Sequence, residues 1–248
     1  MNSRQQPASD FWRNLRRLGS SPATWAWVAL ILAIQGAGML VAGPDQQPAW
    51  AWFARLGLNR DRFLDGQVWR VLSYGFLHGG GWHAGLNALF LLLIGSRIEF
   101  IAGPKILGEA LIFGVLGGGL GHLLLAAGGA TAPLLVGFSG ACMSLLLLLT
   151  TLSPQSRMWP FPVSGKSLGL GVIFSELILA LIDPALGLPG FSSLGASLAD
   201  HGLGGGFSLG HACHFGGGIA GWLLGRYLLR SPLNLQDLRR ARSRGELR

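Results

Sequence analysis

The stretch Val136-Gly137-Phe138-Ser139-Gly140-Ala141, continued by CMSLLLLLTTL over residues 142–152, decides the fold. A serine between glycines stands at the head of a run of leucines, and nothing charged interrupts that run. A Gly-x-Ser-Gly alone is common. Two further apolar stretches begin in the same manner, one with His83 and Asn87 and one with His214. Polar and ionisable groups are costly inside a bilayer, so their presence there points to function. Three sets of them at the heads of apolar runs point to chemistry.

The composition carries the same message. Of 248 residues, 50% are hydrophobic, 12% are charged and 40 are glycine. A soluble domain carries about 25% charged residues, so this is a multi-pass membrane protein read from composition alone. The formal charge of +8 is concentrated at the ends. Arg4, Arg13, Arg16 and Arg17 precede the first apolar span, and Arg239, Arg240, Arg242, Arg244 and Arg248 follow the last. Basic clusters flanking apolar spans suit anchoring against the anionic face of a lipid bilayer better than nucleic-acid binding, and no nucleic-acid partner is expected. Cys142 and Cys213 both fall within apolar stretches and read as small core residues rather than a disulfide framework.

Apolar stretches near 22–42, 82–101, 105–127, 137–152, 167–183 and 208–228 predict an all-α membrane protein of six transmembrane helices. The first follows basic sequence, but its apolar core exceeds the roughly 7–15 residues of a secretory signal, so it reads as an uncleaved helix. With both termini inside, Arg97, Lys105, Arg157, Lys166 and the basic tail face inward, while the loops 128–136 and 184–207 carry almost no charge. That distribution follows the positive-inside rule. The loop 43–70 dissents with Arg55, Arg60, Arg62 and Arg70; its Trp50, Trp52, Phe53, Phe63 and Trp69 suit the outer headgroup level. The loop 184–207, rich in Gly, Ser, Leu and Ala with little periodicity, reads as a mobile lid or a plain connector. The expected organisation is a basic cytoplasmic tail over 1–20, a membrane domain over 21–230 and a second basic cytoplasmic tail over 231–248.

In this topology the second, fourth and sixth spans all run from outside to inside. His83 and Asn87 lie one turn apart on one face, Ser139 tops the fourth span, and His214 lies about six residues, or ~9 Å, into the sixth. All four therefore fall in the outer third of the bilayer. A serine hydroxyl is a weak nucleophile until a base takes its proton, and His214 is the available base. His83, Asn87 and the Ser139 backbone N–H can donate to a developing oxyanion. No buried Asp or Glu has an evident place behind the histidine, so the expectation is a Ser–His dyad. Gly217 and Gly221, in a GxxxG spacing, share the phase of His214 and should let its helix pack closely on the one bearing Ser139.

The chain resembles the rhomboid family of intramembrane serine proteases. The residues that carry the resemblance are Trp69-Arg70, His83 with Asn87, Glu99, Gly137-Phe138-Ser139-Gly140, and His214 with Gly217 and Gly221. They stand in family order and cover residues of roughly 50–225. The resemblance implies a six-helix bundle, a Ser139–His214 dyad opened to water from the outer side, no cofactor and no metal. It also implies cleavage of membrane-spanning protein substrates in or near their helices. The chain departs from many relatives at Met143, where an aromatic commonly packs on the histidine, and at Cys213, where alanine is common.

Other polar groups receive plainer readings. His78 reads as a packing histidine, and His122 as bonded to a neighbouring helix. His211 and His214 form an HxxH pair, but a metalloprotease would need the glutamate of an HExxH arrangement. Glu109 is expected to pair with Lys105, Glu176 to bond a neighbouring helix, and Arg97 with Glu99 to form a local helix-end network. The alternatives are a non-catalytic relative that binds membrane helices and a small proton-coupled transporter built on Glu176. The lack of a transit-like, acid-poor presequence beyond residue 20 leads to the expectation of a bacterial inner membrane.

Overall fold

The computed structural model describes residues 18–42, 47–125, 134–158 and 163–230. Most of both basic tails, and most of the loop 128–136, lie outside the described residues. Among the described residues the chain is helical with no strand; only two isolated bridges occur, Leu58 with Leu135 and Arg157 with Ser164. The principal helices are α1 (Pro22–Ala42), α2 (Gln47–Leu56), α3 (Gly81–Phe90), α4 (Ser96–Leu125), α5 (Ser139–Leu152), α6 (Gly165–Leu181), α7 (Phe191–Leu198) and α8 (His211–Leu229). A π turn over Leu91–Gly95 joins α3 to α4.

Among the described residues, two helices are long and apolar enough to cross a membrane, Pro22–Val41 and the continuous stretch Gly81–Leu125. The second contains a break. Gly103 has φ 88°, which an L side chain adopts only under strain, and Pro104 follows it as a natural first residue of a new helix. The two apolar stretches read at 82–101 and 105–127 therefore meet at a sharp kink rather than across an open loop.

Small residues set the packing. The side of α8 that carries Gly217 and Gly221 lies on α5. A Cβ at Gly217 would run into the Gly140 carbonyl, and one at Gly221 into the Ser144 carbonyl. The neighbouring Gly216 abuts Gly117 and Gly121 of α4 in the same way. α8 is thus wedged between α4 and α5 with backbone against backbone, which is how membrane helices gain dispersion contacts without a hydrophobic driving force. Leu107, Leu111, Val115, Ala141, Leu145, Leu148, Leu149, Cys213 and Leu224 fill the adjoining buried core.

Two charged side chains tie distant segments together. Glu99 accepts hydrogen bonds from the Thr24 N–H (2.8 Å), the Thr24 hydroxyl (2.7 Å) and the Ala23 N–H (3.1 Å). The carboxylate caps α1, where orphan N–H groups and the helix dipole favour an anion. The local helix-end network expected for Glu99 is thus a long-range cap, because the first turn of α1 supplies the donors. Lys105 and Glu109 do pair, at 3.7 Å. Arg70, 2% exposed, donates to the Gly57 and Ala54 carbonyls at the end of α2 and to Gln67. Beside it the Trp69 indole donates to the Arg55 carbonyl (3.3 Å).

Two irregular segments contain more structure than their composition announces. The stretch 43–70 holds α2 and the single turn Arg60–Leu64, capped by the Asn59 side chain. The stretch 184–207, expected as an unstructured lid or connector, holds α7 between helical turns at Pro184–Leu186 and Ala199–Leu203. Its many glycines hide the helical period, yet Gly195 is buried because α7 rests on the Ile182 carbonyl.

Candidate active site

The segment before α5 is held from two sides. Leu58 and Leu135 exchange backbone hydrogen bonds at 2.9 and 3.0 Å, and the Gly137 N–H donates to the Tyr74 carbonyl at 3.1 Å. Gly137 has φ 130°, and Phe138 behind it is 1% exposed. This clamp delivers Ser139 as the first residue of α5, where backbone N–H groups have no acceptor within their own helix.

His214 approaches from α8. Gly210 takes a left-handed conformation (φ 70°, ψ 44°) and starts the helix at His211, so His214 lies in the first turn rather than about six residues in. Its Nε2 is 2.8 Å from the Ser139 hydroxyl oxygen. The hydroxyl and the imidazole meet across two helices separated by 75 positions in the chain.

From α3, His83 approaches the same point and Asn87 meets the first turn of α5 at Cys142. The position that a Gly137 Cβ would occupy lies 2.8 Å from His83 Cε1, 2.9 Å from His83 Nε2 and 3.9 Å from Ser139 Oγ. The Gly79 N–H points at His83 Nδ1 (3.4 Å), so a neutral His83 carries its proton on Nε2, the nitrogen facing Gly137. Asn87 is 6% exposed, and its Nδ2 is buried without a hydrogen-bond partner. The Cys142 thiol, on the first turn of α5, donates to Asn87 Oδ1 and to the Asn87 carbonyl, both at 3.7 Å. With its oxygen engaged, the amide leaves a buried, unpartnered N–H₂ beside the first turn of α5. A buried donor left unpaired is costly and marks a place where an acceptor belongs.

A model of the rhomboid domain matches residues 65–231, a range that contains this whole cluster. The chain belongs to the rhomboid family. It is 30% identical to RHOMBOID-like protein 5 of Arabidopsis thaliana over 187 residues, covering 75% of this chain and 52% of that protein. Over 83 residues it is 39% identical to Rhomboid-related protein 3 of Homo sapiens, covering 34% of this chain and 20% of that one. The protein of the same name from Mus musculus is 35% identical over 83 residues. This rhomboid spans about half the length of its plant relative and a fifth of the mammalian ones. Family and apolar helices together make it a membrane protein.

Of the residues singled out in the sequence, this rhomboid brings Ser139, His214 and His83 together at one point beside Gly137, and sets Asn87 against Cys142 on the first turn of α5. Gly137 and Gly140 shape that point: a Cβ at Gly140 would lie 2.9 Å from the Cys213 sulfur. Gly217 and Gly221 hold α8 against α5, while Trp69 and Arg70 brace the outer segment and Glu99 caps α1.

Two contributors escape the sequence reading, Glu176 behind the histidine and Cys142 beside Asn87, while His78 packs as expected. Behind the ring of His214 lies Glu176 of α6, whose Oε2 is 3.3 Å from His214 Nδ1 and 2.6 Å from His211 Nδ1. The carboxylate expected only to bond a neighbouring helix therefore also occupies the place behind the histidine that seemed to have no acid. Cys142 orients Asn87. His78, 1% exposed, packs edge-on against His83 with ring centroids 5.2 Å apart. Glu176, His211 and His214 offer atoms within 4.8 Å of one another, a set with the donor types of a metal site. Here those atoms face one another in hydrogen-bonding geometry.

Proposed function

We propose that this rhomboid is an intramembrane serine endopeptidase that cleaves membrane-spanning proteins in or near their helices. The observation that carries the reading is the 2.8 Å approach of Ser139 Oγ to His214 Nε2. A hydroxyl that donates to an imidazole at this distance is poised for general-base activation. Ser139 attacks the scissile carbonyl carbon while its proton passes to His214 Nε2. The oxygen that becomes negative is met by the Ser139 N–H, the Nε2–H of His83 and the unpaired Nδ2 of Asn87. Such donors act when charge develops and require no rearrangement at that moment. His214 then returns the proton to the leaving amine, and water repeats the cycle on the acyl-enzyme.

The membrane arrangement is part of the proposal. Six spans with both ends inside would bring the heads of α3, α5 and α8 to the outer side, where water enters. The basic residues around 97–105 and 157–166 would then lie within. No cofactor takes part in these steps.

The test is labelling of purified protein, in detergent or liposomes, with a fluorophosphonate followed by peptide mapping. Modification at Ser139 that is lost in His214→Ala supports the reading. A folded wild-type protein that never labels overturns it in favour of a non-catalytic helix-binding rhomboid.

A further inference from the structure

The base of this site is backed by a buried carboxylate. Glu176 lies on α6, with its side chain 14% exposed, and faces two histidines whose side chains are 8% and 12% exposed. An anion at this depth needs compensation. The hydrogen bonds state where that compensation comes from.

Proton positions follow from donor and acceptor types. His211 Nε2 lies 2.9 Å from the Gly206 carbonyl, which can only accept, so this nitrogen carries a proton. His211 Nδ1 lies 2.6 Å from Glu176 Oε2, and a second proton must sit between them. Glu176 and His211 together therefore form a unit of zero net charge. On the other side, His214 Nδ1 faces a carboxylate oxygen that accepts, so the single proton of neutral His214 belongs on Nδ1 and Nε2 is left to accept from the Ser139 hydroxyl. That proton needs an acceptor, and Glu176 Oε2 is the oxygen facing it at 3.3 Å.

From this geometry we infer that Glu176, held by His211, is a positioning residue that converts the Ser139–His214 pair into a Ser–His–Glu constellation. The inference rests on the reading of Ser139 and His214 as nucleophile and base. Glu176 fixes the His214 tautomer with Nε2 free to accept, and it stabilises the imidazolium present after Ser139 gives up its proton. The Nδ1 proton stays on His214 throughout; only the serine proton moves, first to Nε2 and then to the leaving amine. His211 keeps the carboxylate anionic without an uncompensated charge in the bundle, and its bond to Gly206 links the unit to the outer segment after α7. Other titratable groups within electrostatic reach of this unit are Asp183 near His211, Cys213 near Glu176 and His83 near His214.

The experiment compares wild type, Glu176→Gln, Glu176→Asp and Ser139→Ala as purified full-length proteins. Peptide cleavage is followed from pH 5 to 9, and fluorophosphonate labelling at Ser139 is measured alongside. Glu176→Gln presents an amide that can donate to Nδ1 and trap the wrong tautomer. Its kcat is expected to fall by about 10²-fold or more with KM within about 2-fold, and labelling should slow in parallel. The acid limb of its pH profile should move to lower pH, because the charge that favoured the imidazolium is gone. Glu176→Asp, which keeps the charge on a shorter arm, should recover part of kcat and the wild-type acid limb. A Gln variant with wild-type kcat and acid limb overturns the inference while leaving the protease reading intact. Labelling or cleavage that survives in Ser139→Ala overturns that reading instead. Nitrogen-15 histidine NMR of the folded wild type decides the matter independently of how the variants fold. Neutral His214 protonated on Nδ1 supports the inference, and protonation on Nε2 overturns it.

Discussion

Gly137 lies directly beneath the imidazole of His83, so that a single added carbon would stand 2.8 Å from its Cε1 and 2.9 Å from its Nε2. The glycine also has φ 130°, outside the range L side chains adopt without strain. Gly137→Ala should therefore act twice, through backbone strain of about 1–3 kcal/mol and by displacing His83 from its proposed place at the oxyanion. The expected outcome is a lower melting temperature together with a fall in kcat that exceeds any change in KM. Thermal unfolding and peptide-cleavage kinetics on the same preparation check both arms, and an active, wild-type-stable Ala variant would remove the close approach from the account.

Asn87 presents a buried, unpaired Nδ2 beside the serine-bearing helix, while its Oδ1 is occupied by the Cys142 thiol. If that nitrogen serves the oxyanion, Asn87→Ala should lower kcat by roughly 10²-fold. Ground-state labelling geometry and the fold should survive, because the hydrogen bond the amide gives up is only the long one from the Cys142 thiol. Cys142→Ala frees the amide to rotate and should cost a smaller factor. A variant pair in which Cys142→Ala is worse than Asn87→Ala would contradict this order of roles.

The four residues of the proposed reaction were legible because each stands at or near the head of an apolar run, and runs that enter the membrane from one side begin at one depth. Glu176 obeyed the same geometry from the opposite end. It lies about 11 residues, or ~16 Å, into α6, and α6 runs against α5 and α8 in the proposed topology, so a late residue there reaches the level of early residues elsewhere. Depth counted from the end of the span, rather than its start, would have found it. The cap that Glu99 places on α1 links positions 75 apart, and no local pattern encodes such a pairing. α7 was missed because Gly and Ser dilute the apolar period that announces a helix. Glycine patterns, by contrast, were informative: the spacing of Gly217 and Gly221 named the face of α8 that meets α5.

That contact yields its own prediction. Gly217 packs on the Gly140 carbonyl and Gly221 on the Ser144 carbonyl, with no room for a methyl group at either. Gly221→Ala must push α8 away from α5, at a cost of about 1–3 kcal/mol for an overpacked interface. Because Gly217 is one turn from His214, its Ala variant should also lengthen the Ser139–His214 contact and slow fluorophosphonate labelling, whereas Gly221→Ala should affect mainly the melting temperature. Equal loss of labelling in both variants would mean that the helix moves as a rigid body rather than tilting locally.

Glu99 makes three hydrogen bonds to the first turn of α1, two of them to backbone N–H groups. Glu99→Ala leaves those donors without an acceptor, and loss of a helix cap of this kind costs about 0.5–2 kcal/mol. Glu99→Gln keeps an acceptor but removes the charge that the helix dipole favours, so it should fall between wild type and Ala. Thermal unfolding in detergent checks the order, and labelling of Ser139 below the transition should be unchanged in both.

His78, in the loop just ahead of α3, is 1% exposed, and neither ring nitrogen has a partner. Burial, and secondarily the neighbouring His83, push its pKa down to about 4 from the ordinary 6.5. The unfolded chain therefore takes up a proton near pH 6.5 that the folded protein refuses until about pH 4. Stability from this group is fully present above the unfolded value and is lost as pH falls toward the folded one. His78→Phe removes the titration while keeping a ring in the same packing place. Wild type should lose more melting temperature than His78→Phe between pH 7.5 and 5, with the difference growing across that window. Parallel losses in the two proteins would assign the acid sensitivity to another group.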